Sequence, residues 1–283
     1  MSDCLTGIDT YRTVKIEQIE DENRSVKTFR FKDILCNKAE IGQYIMLWVK
    51  GVDEIPLSLS EIDSRGLSSV TVENVGEATS SLHSKIMGNT ISIRGPYGNH
   101  FSIIQGKVLV IGGGVGLAPL RPLLVELGRR DSKITLIVGA KTKMELLSLN
   151  RVKSTLGKSI EKLIITTDDG SYGIKGVATA PMDELFDKNV FDVVYSCGPE
   201  PMMRKVFEIA ENRGIEVQVC TERIIRCSVG LCGSCVIGRF RVCKEGPIFS
   251  STQLREVLNE FGVFKRGFTG KKIAFKESIQ SDS

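Results

Sequence analysis

The sequence has no long apolar run and no excess of one charge, and both absences narrow what the chain does. Its 38 basic and 34 acidic residues nearly cancel, and no lysine or arginine block interleaves with aromatics, so no nucleic-acid face is expected. The most apolar stretch, VLVIGGGVGLAPL, ends at Arg121, well short of a bilayer span. The opening residues MSDCLTGIDTYR lack the basic-then-apolar layout of a secretory signal. The expectations are therefore no nucleic acid, no membrane and a cytoplasmic location. No internal repeat or low-complexity tract stands out, and 283 residues suffice for two ordinary domains with a small third element.

What the chain does have is cysteine. In a reducing compartment its eight cysteines are poor candidates for disulfides, and a tight group of them points to a metal. Cys227, Cys232, Cys235 and Cys243 crowd into RCSVGLCGSCVIGRFRVCKEG, spaced C-x4-C-x2-C-x7-C. The first intervals match the plant-type iron–sulfur pattern, although the fourth cysteine of that pattern usually lies farther on. Four thiolates also suit structural zinc, but zinc sites tend to use two separated C-x2-C knuckles. Gly230 and Gly233 fit a loop wrapped round sulfurs with inward amides, and Arg226, Arg239 and Arg241 are expected to offset a cluster's negative charge.

Two rhythms precede this segment. From residue 11 to about 95, short β-rich runs such as YRTVKIEQI, SVKTFRFK, YIMLWVK and TISIRG follow one another, separated by turn residues. They predict an antiparallel barrel. After residue 105, KVLVIGG, KITLIVGA, KLIITTDDG, FDVVYSCGP and EVQVCTE alternate with helical patterns, which predicts a parallel sheet between helices. The expected division is a barrel over 1–103, a nucleotide-binding α/β domain over 104–221 and a cysteine segment with tail over 222–283.

Gly112, Gly113, Gly114 and Gly116 lie directly between an apolar strand and a helix, where glycine lets backbone amides approach a dinucleotide pyrophosphate. SCGPEPMM ends the fourth strand, so Cys197, Gly198 and Pro199 are expected at the same crevice; alone, Cys197 reads equally as a small buried hydrophobe. In the barrel, PLSLS (56–60) and GEATSSLHSK (76–85) stand out. Thr79, Ser80 and Ser81 are helix caps on one reading and a flavin-phosphate site on the other.

With these segments in this order, the chain resembles the ferredoxin–NADP reductase superfamily, and most closely the electron-transfer subunits of heteromeric, NAD-linked dihydroorotate dehydrogenases. The carriers are PLSLS, GPYGNHF, GGGVGLAPL, TTDDGSYGIKG, YSCGPEPMM and ERIIRCSVGLCGSC with RVCKEGPIF, over roughly residues 10–250. The resemblance implies a six-stranded flavin-binding barrel, a doubly wound nucleotide domain and a small iron–sulfur segment. Pro56, Leu57 and Ser58 would then lie along the flavin ring, Ser58 near its reactive edge, and Gly76, Thr79 and Ser80 at the FAD diphosphate. Gly113, Gly114, Gly116, Asp168, Cys197, Gly198 and Pro199 would meet NAD(H), with Cys197 joining Ser58 at the catalytic edge. Cys227, Cys232, Cys235 and Cys243 would hold a [2Fe-2S] cluster. A catalytic dihydroorotate dehydrogenase flavin subunit is the implied partner, in a heterotetramer.

Two positions depart from the pattern. Ile55 stands where many members place an arginine for the flavin phosphate, which shifts that task to backbone amides and Thr79. The interval before Cys243 is short. Sibling diaphorase subunits, of a sulfhydrogenase or an electron-bifurcating NADH-dependent ferredoxin:NADP oxidoreductase, share the same segments. A zinc-stabilised nucleotide-binding regulatory protein is the reading of another class. Lys141 and Lys143 leave NADH against NADPH open.

Overall fold

The computed structural model describes residues 7–62, 66–148 and 159–275. Six strands, β1 (Arg12–Asp21), β2 (Val26–Phe31), β3 (Tyr44–Val49), β4 (Asp53–Ile62), β5 (Ser68–Glu73) and β6 (Thr90–Tyr97), close a barrel in the order β1-β2-β5-β4-β3-β6. Every neighbouring pair is antiparallel, and β1 pairing with β6 completes the ring. The period-two alternation of apolar residues explains the closure: Ile16, Phe29, Ile45, Leu47, Val70, Val72 and Ile93 all turn inward to a single core. Helix α1 (Glu77–His83) bridges β5 and β6.

The second unit is a seven-stranded sheet. Strands β7 (Lys107–Gly113), β8 (Lys133–Ala140), β9 (Ile160–Thr167) and β10 (Ile174–Lys175) run to one side, and β11 (Val193–Cys197) and β12 (Val217–Cys220) to the other. All six are parallel. Helices α2 (Leu117–Arg129), α3 (Met182–Lys188) and α4 (Glu200–Glu211) connect them. Because the chain leaves β7 in one direction and returns on its other flank at β11, the carboxyl ends of β7 and β11 flank the topological switch point. Cys197 and Gly112 are register partners there.

The cysteine segment does more than follow the sheet. After β13 (Val236–Ile237), β14 (Phe240–Arg241) and α5 (Val242–Glu245), the chain returns as β15 (Ile248–Ser250) and pairs antiparallel with β12 as the seventh strand. Helix α6 (Ser251–Glu256) and a hairpin of β16 (Phe264–Arg266) and β17 (Lys272–Ala274) end the described chain. One buried cluster gathers Tyr44 and Tyr97 from the barrel, Ile111 and Val219 from the sheet, and Cys235, Ile237 and Cys243 from the cysteine segment. The three sequence regions therefore share a core, and each fully buried Ile or Val in it is worth roughly 1.5–3 kcal/mol. Among the described residues no helix is long and apolar enough to cross a membrane.

Candidate functional site

A cleft of about 410 Å³ opens where the three regions meet. Pro56, Leu57 and Ser58 on β4 form one wall, Val115 in the glycine turn and Ala118 at the start of α2 another, and Thr221 to Arg223 after β12 a third, with Thr79 at the rim. Register places Tyr44 on β3 opposite Ser58 on β4. The Tyr44 hydroxyl is buried against that of Ser228, and neither meets any other hydrogen-bond partner among the described residues. Burial, with Cys243, Cys235 and Tyr97 nearby, holds the Tyr44 phenol above its ordinary range. A buried hydroxyl with so little to bond to is costly, and here Tyr44 lines the cleft. The residues present therefore fit a polar-edged aromatic ligand.

The rim is less simply read. The Thr79 hydroxyl accepts the amides of Val75 and Gly76, both at 2.9 Å, and donates to the Gly76 carbonyl at 2.9 Å. Ser80 donates to Asn74 at 2.6 Å. Both side chains are thus committed to the start of α1, and Gly76 is its extended N-cap. Ile55 lines the cleft as expected, and Arg223 is the only cation among the described lining residues. Its guanidinium is buried against Glu200 at the start of α4, with a 2.7 Å contact from Nη2 to Oε1 and a second from Nη1 to Oε2.

At the switch point the glycines divide into two kinds. A side chain at Gly116 would stand 2.6 Å from the Cys197 carbonyl, one at Gly113 would stand 2.7 Å from the Met202 sulfur, and one at Gly198 would stand 2.8 Å from the Met202 methyl. These three let two loops pack against each other. Gly114, with φ of 55°, meets nothing within 4 Å and faces open space. It alone combines a left-handed conformation with room for a ligand. Pro199 is the N-cap of α4. Asp168, just past β9, lies two strands from β7, about 10 Å away at ordinary strand spacing; desolvation raises its pKa, against the pull of Lys141.

The Cys197 sulfur does not line the cleft. The residue is 1% exposed and packed in the sheet core, and a hydrogen bond with Cys220 together with burial raises its pKa well above normal. Its backbone, not its thiol, reaches Gly116.

All four cysteines of the C-terminal group are free thiols. Turns through left-handed Ser228, Gly230 and Gly233 direct amides inward. Leu231 and Cys232 donate to the Cys227 sulfur at 3.3 and 3.5 Å, and Cys243 donates to that of Cys235 at 3.4 Å. Burial opposes ionisation of Cys227, yet the amides of Cys232, Leu231 and Val229 bring it down to about 6. A hydrogen bond from Cys243 brings Cys235 down to about 7 and holds Cys243 itself protonated. As free thiols they stand in two hydrogen-bonded pairs, Cys227 with Cys232 and Cys235 with Cys243, and among the described residues no group of three or more side chains is placed to hold a metal ion; the converging amides suit sulfurs carrying negative charge. Exposure is uneven: Cys235 and Cys243 are buried, Cys227 is half-buried and Cys232 is exposed.

Of the three arginines expected to offset that charge, Arg241 stays at the group, donating to the Gly230 carbonyl at 2.7 Å and attracted by Cys243 and Cys235, although all three also have other partners. Arg239 pairs with Glu256 at 2.7 Å and Arg241 pairs with Glu245, while Arg226 donates to the Phe268 carbonyl at 2.8 Å. Sequence reasoning also missed two clamps. Arg94 on β6 grips Glu54 at 2.6 and 2.8 Å and donates to the carbonyls of Cys227 and Arg226 at 3.1 and 3.3 Å. Asn99 exchanges three hydrogen bonds of 2.8–2.9 Å with Glu245 and Ile248. Both lie in or beside GPYGNHF, but their partners in the cysteine segment are more than a hundred residues away.

Comparison with known proteins agrees with this geometry. Residues 222–255 match the iron–sulfur cluster binding domain of dihydroorotate dehydrogenase B, and residues 110–208 match the oxidoreductase NAD-binding domain. The chain is 41% identical over 263 residues to a probable dihydroorotate dehydrogenase B (NAD(+)) electron transfer subunit of Methanocaldococcus jannaschii, covering 92% of this chain and 97% of the relative. A protein of the same description from Pyrococcus furiosus is also 41% identical, with 92% and 98% covered. Among solved structures, an NADH-dependent reduced ferredoxin-NADP oxidoreductase studied for flavin-based electron bifurcation superposes with a TM-score of 0.77 at 32% identity, over 87% of this chain and 92% of that one. The flavohem-like FAD/NAD-binding domain of a Vibrio cholerae nitric oxide dioxygenase, at 19% identity and TM-score 0.62, covers 72% of this chain and 94% of its own and shares the fold. Barrel, switch-point sheet and cysteine segment, matched end to end by such relatives, show that the chain belongs to the family of dihydroorotate dehydrogenase B electron transfer subunits.

Proposed function

We propose that this chain passes electrons between a dihydroorotate-oxidising flavin subunit and NAD in pyrimidine biosynthesis, in the cytoplasm, using FAD in the central cleft and a [2Fe-2S] cluster on Cys227, Cys232, Cys235 and Cys243. One observation carries the reading: Tyr44 lines the cleft and belongs to the same buried cluster as Cys235 and Cys243. Cleft and thiols are therefore joined by packed protein. The cofactors supply the redox chemistry, a hydride exchanged with nicotinamide at the flavin and single electrons at the cluster.

The chain's own residues bind, orient and shield. Pro56, Leu57 and Ser58 provide the wall for the flavin ring, and Ser58 and Tyr44 present hydroxyls at its edge. Gly76, Thr79 and Ser80 shape the start of α1 for the diphosphate, which relies on backbone amides because Arg223 is bound to Glu200. Gly114 leaves room for the nicotinamide dinucleotide, while Gly113, Gly116, Gly198 and Pro199 hold the facing loop in register and Asp168 marks the far end of the crevice. Cys197 supports this edge through its backbone position. We assign 1–103 to the FAD domain, 104–221 to the NAD domain and 222–283 to the cluster segment, and a heterotetramer with the partner. The bifurcating oxidoreductase likeness keeps a sibling diaphorase role as the second reading. Co-purification from native cells decides between them: a dihydroorotate-oxidising companion supports the proposal, and a hydrogenase or ferredoxin-linked companion supports the sibling role.

A further inference from the structure

Arg94 on β6 has every donor of its side chain in use. A guanidinium carries five N–H groups in a fixed fork. Nε and Nη2 reach the two carboxylate oxygens of Glu54 at 2.6 and 2.8 Å, and Nη1 reaches the Tyr97 hydroxyl at 3.2 Å. The two remaining N–H groups go to the Cys227 carbonyl, at 3.1 Å from Nη1, and the Arg226 carbonyl, at 3.3 Å from Nη2. The Arg94 side chain is 12% exposed and that of Glu54 17%, so the pair is screened little by salt.

The acceptors belong to parts of the molecule that the sequence keeps far apart. Glu54 stands on β4 directly before Ile55, Pro56, Leu57 and Ser58, which line the cleft. Arg226 and Cys227 open the cysteine segment, 132 and 133 residues beyond Arg94. One side chain therefore spans from the flavin strand to the backbone of the first cysteine. Because Glu54 offsets its charge, what Arg94 contributes there is geometry.

The backbone that it grips is not relaxed. Ser228, the next residue, has a φ of 64°, a left-handed conformation that a residue with a side chain keeps only where its surroundings impose it. Arg94 supplies such a restraint by fixing the two carbonyls that precede the turn. Beyond the turn, the amides of Leu231 and Cys232 meet the Cys227 sulfur, and the Ser228 hydroxyl lies against Tyr44 in the cleft wall. The same restraint thus governs the first thiol and the contact between its loop and the cleft.

We propose that Arg94 is a positioning residue for electron transfer, tying the flavin strand to the first cysteine ligand and holding the Ser228 turn against Tyr44. The flavin and the cluster rest on the function proposed above; the clamp rests on the five hydrogen bonds. A fork of this kind is not replaced by lysine, whose ammonium is a point charge with three donors.

The test compares full-length wild-type holoprotein with Arg94→Lys, which keeps the charge without the fork, and with Arg94→Gln. NADH is mixed rapidly with each, and flavin and cluster reduction are followed in the same preparation, the cluster accepting one of the two electrons that NADH gives the flavin. Both variants should slow cluster reduction relative to flavin reduction by about tenfold or more and release iron to a chelator faster by a similar factor, the usual cost of losing an outer partner of a metal ligand. The paramagnetic resonance spectrum of the dithionite-reduced cluster should broaden in both. Wild-type spectrum, iron release and cluster reduction in either variant would overturn the proposal, because charge or bulk alone would then suffice. If neither variant folds, hydrogen exchange of the wild-type apoprotein decides: protection of the 226–232 backbone that survives iron removal supports a clamp made by the protein, and exchange at the rate of an unfolded chain overturns it. If wild-type protein carries iron that NADH does not reduce through the flavin, the proposed function fails, and the clamp is judged on the variants' spectra and iron release: altered values support it, and wild-type values overturn it.

Discussion

Glu22, just past the first barrel strand, and Arg121, on the helix after the glycine loop, form a two-point ion pair of 2.6 and 2.7 Å between the barrel and the nucleotide sheet. Their side chains are 0% and 7% exposed. Glu22 also accepts the Thr28 hydroxyl at 2.7 Å, and Thr28 contacts Thr71, a residue of the cleft wall, at 2.8 Å. The pair thus fixes the glycine-loop helix to the barrel that forms the other side of the cleft.

Removing one partner leaves a buried charge uncompensated, so Arg121→Ala should destabilise the protein by about 3–5 kcal/mol. Replacing both at once, with Arg121→Met and Glu22→Leu, should cost much less, because the desolvation of two charges disappears with their attraction. Denaturant titration of the two variants measures the difference. Equal losses would mean that the pair is not acting as a buried unit.

The same pair sets a pH dependence. Burial alone would raise the Glu22 pKa, but hydrogen bonding and attraction to Arg121, with Thr28, bring it below the ordinary glutamate range. A depressed folded-state pKa gives stability that is present above the unfolded value, about 4.3, and is lost as pH falls through the folded one. Acid unfolding followed from neutral pH should therefore show a smaller acid-linked loss in the double variant than in wild type.

The two kinds of glycine predict separate failures. Gly116→Ala puts a methyl 2.6 Å from the Cys197 carbonyl and should compromise folding. Gly114→Ala meets no atom within 4 Å and should cost only about 1–2 kcal/mol for a left-handed alanine, while NADH affinity falls. Gly114→Val should block reduction by NADH in folded protein. Thermal melts and stopped-flow reduction separate the outcomes, and wild-type reduction in Gly114→Val would make the loop structural only.

Removal of two hydroxyls should likewise divide binding from stability. Tyr44→Phe deletes a buried hydroxyl whose one polar neighbour is Ser228 and should change apoprotein stability little, yet weaken flavin binding. Thr79→Ala removes an N-terminal helix contact worth roughly 1 kcal/mol and should loosen flavin retention by disordering the start of α1. Flavin titration of refolded apoprotein reads both, and unchanged affinity would remove each residue from the site.

Much of this arrangement is legible in the sequence because its signals are local. Alternation over SVKTFRF and SSVTVE identifies barrel strands, and a glycine run between an apolar strand and a helix identifies the switch point. Strand β15 escapes notice because its three residues carry no periodicity and its pairing with β12 spans the whole cysteine segment. Cys197 is legible as a position but not as an orientation: the strand ends at the crevice, while the pleat turns its sulfur toward Cys220. Arg239 looks available in the sequence because Glu256, seventeen residues on, becomes its partner only through the fold of α6. Tyr44 carries no motif at all, and only three-dimensional packing places it between cleft and thiols.

The measurement closest to the central claim separates the two halves of the electron path in Cys232→Ser, where a harder oxygen replaces sulfur at the exposed corner of the group. After iron content and folding have been measured, NADH reduction of the flavin and electron exchange between NADH and the partner subunit are compared in the same preparation. The account predicts an iron-depleted, folded protein in which the first proceeds at the wild-type rate and the second collapses. Sustained exchange with the partner in protein shown to lack iron would contradict it and leave the four cysteines a structural role.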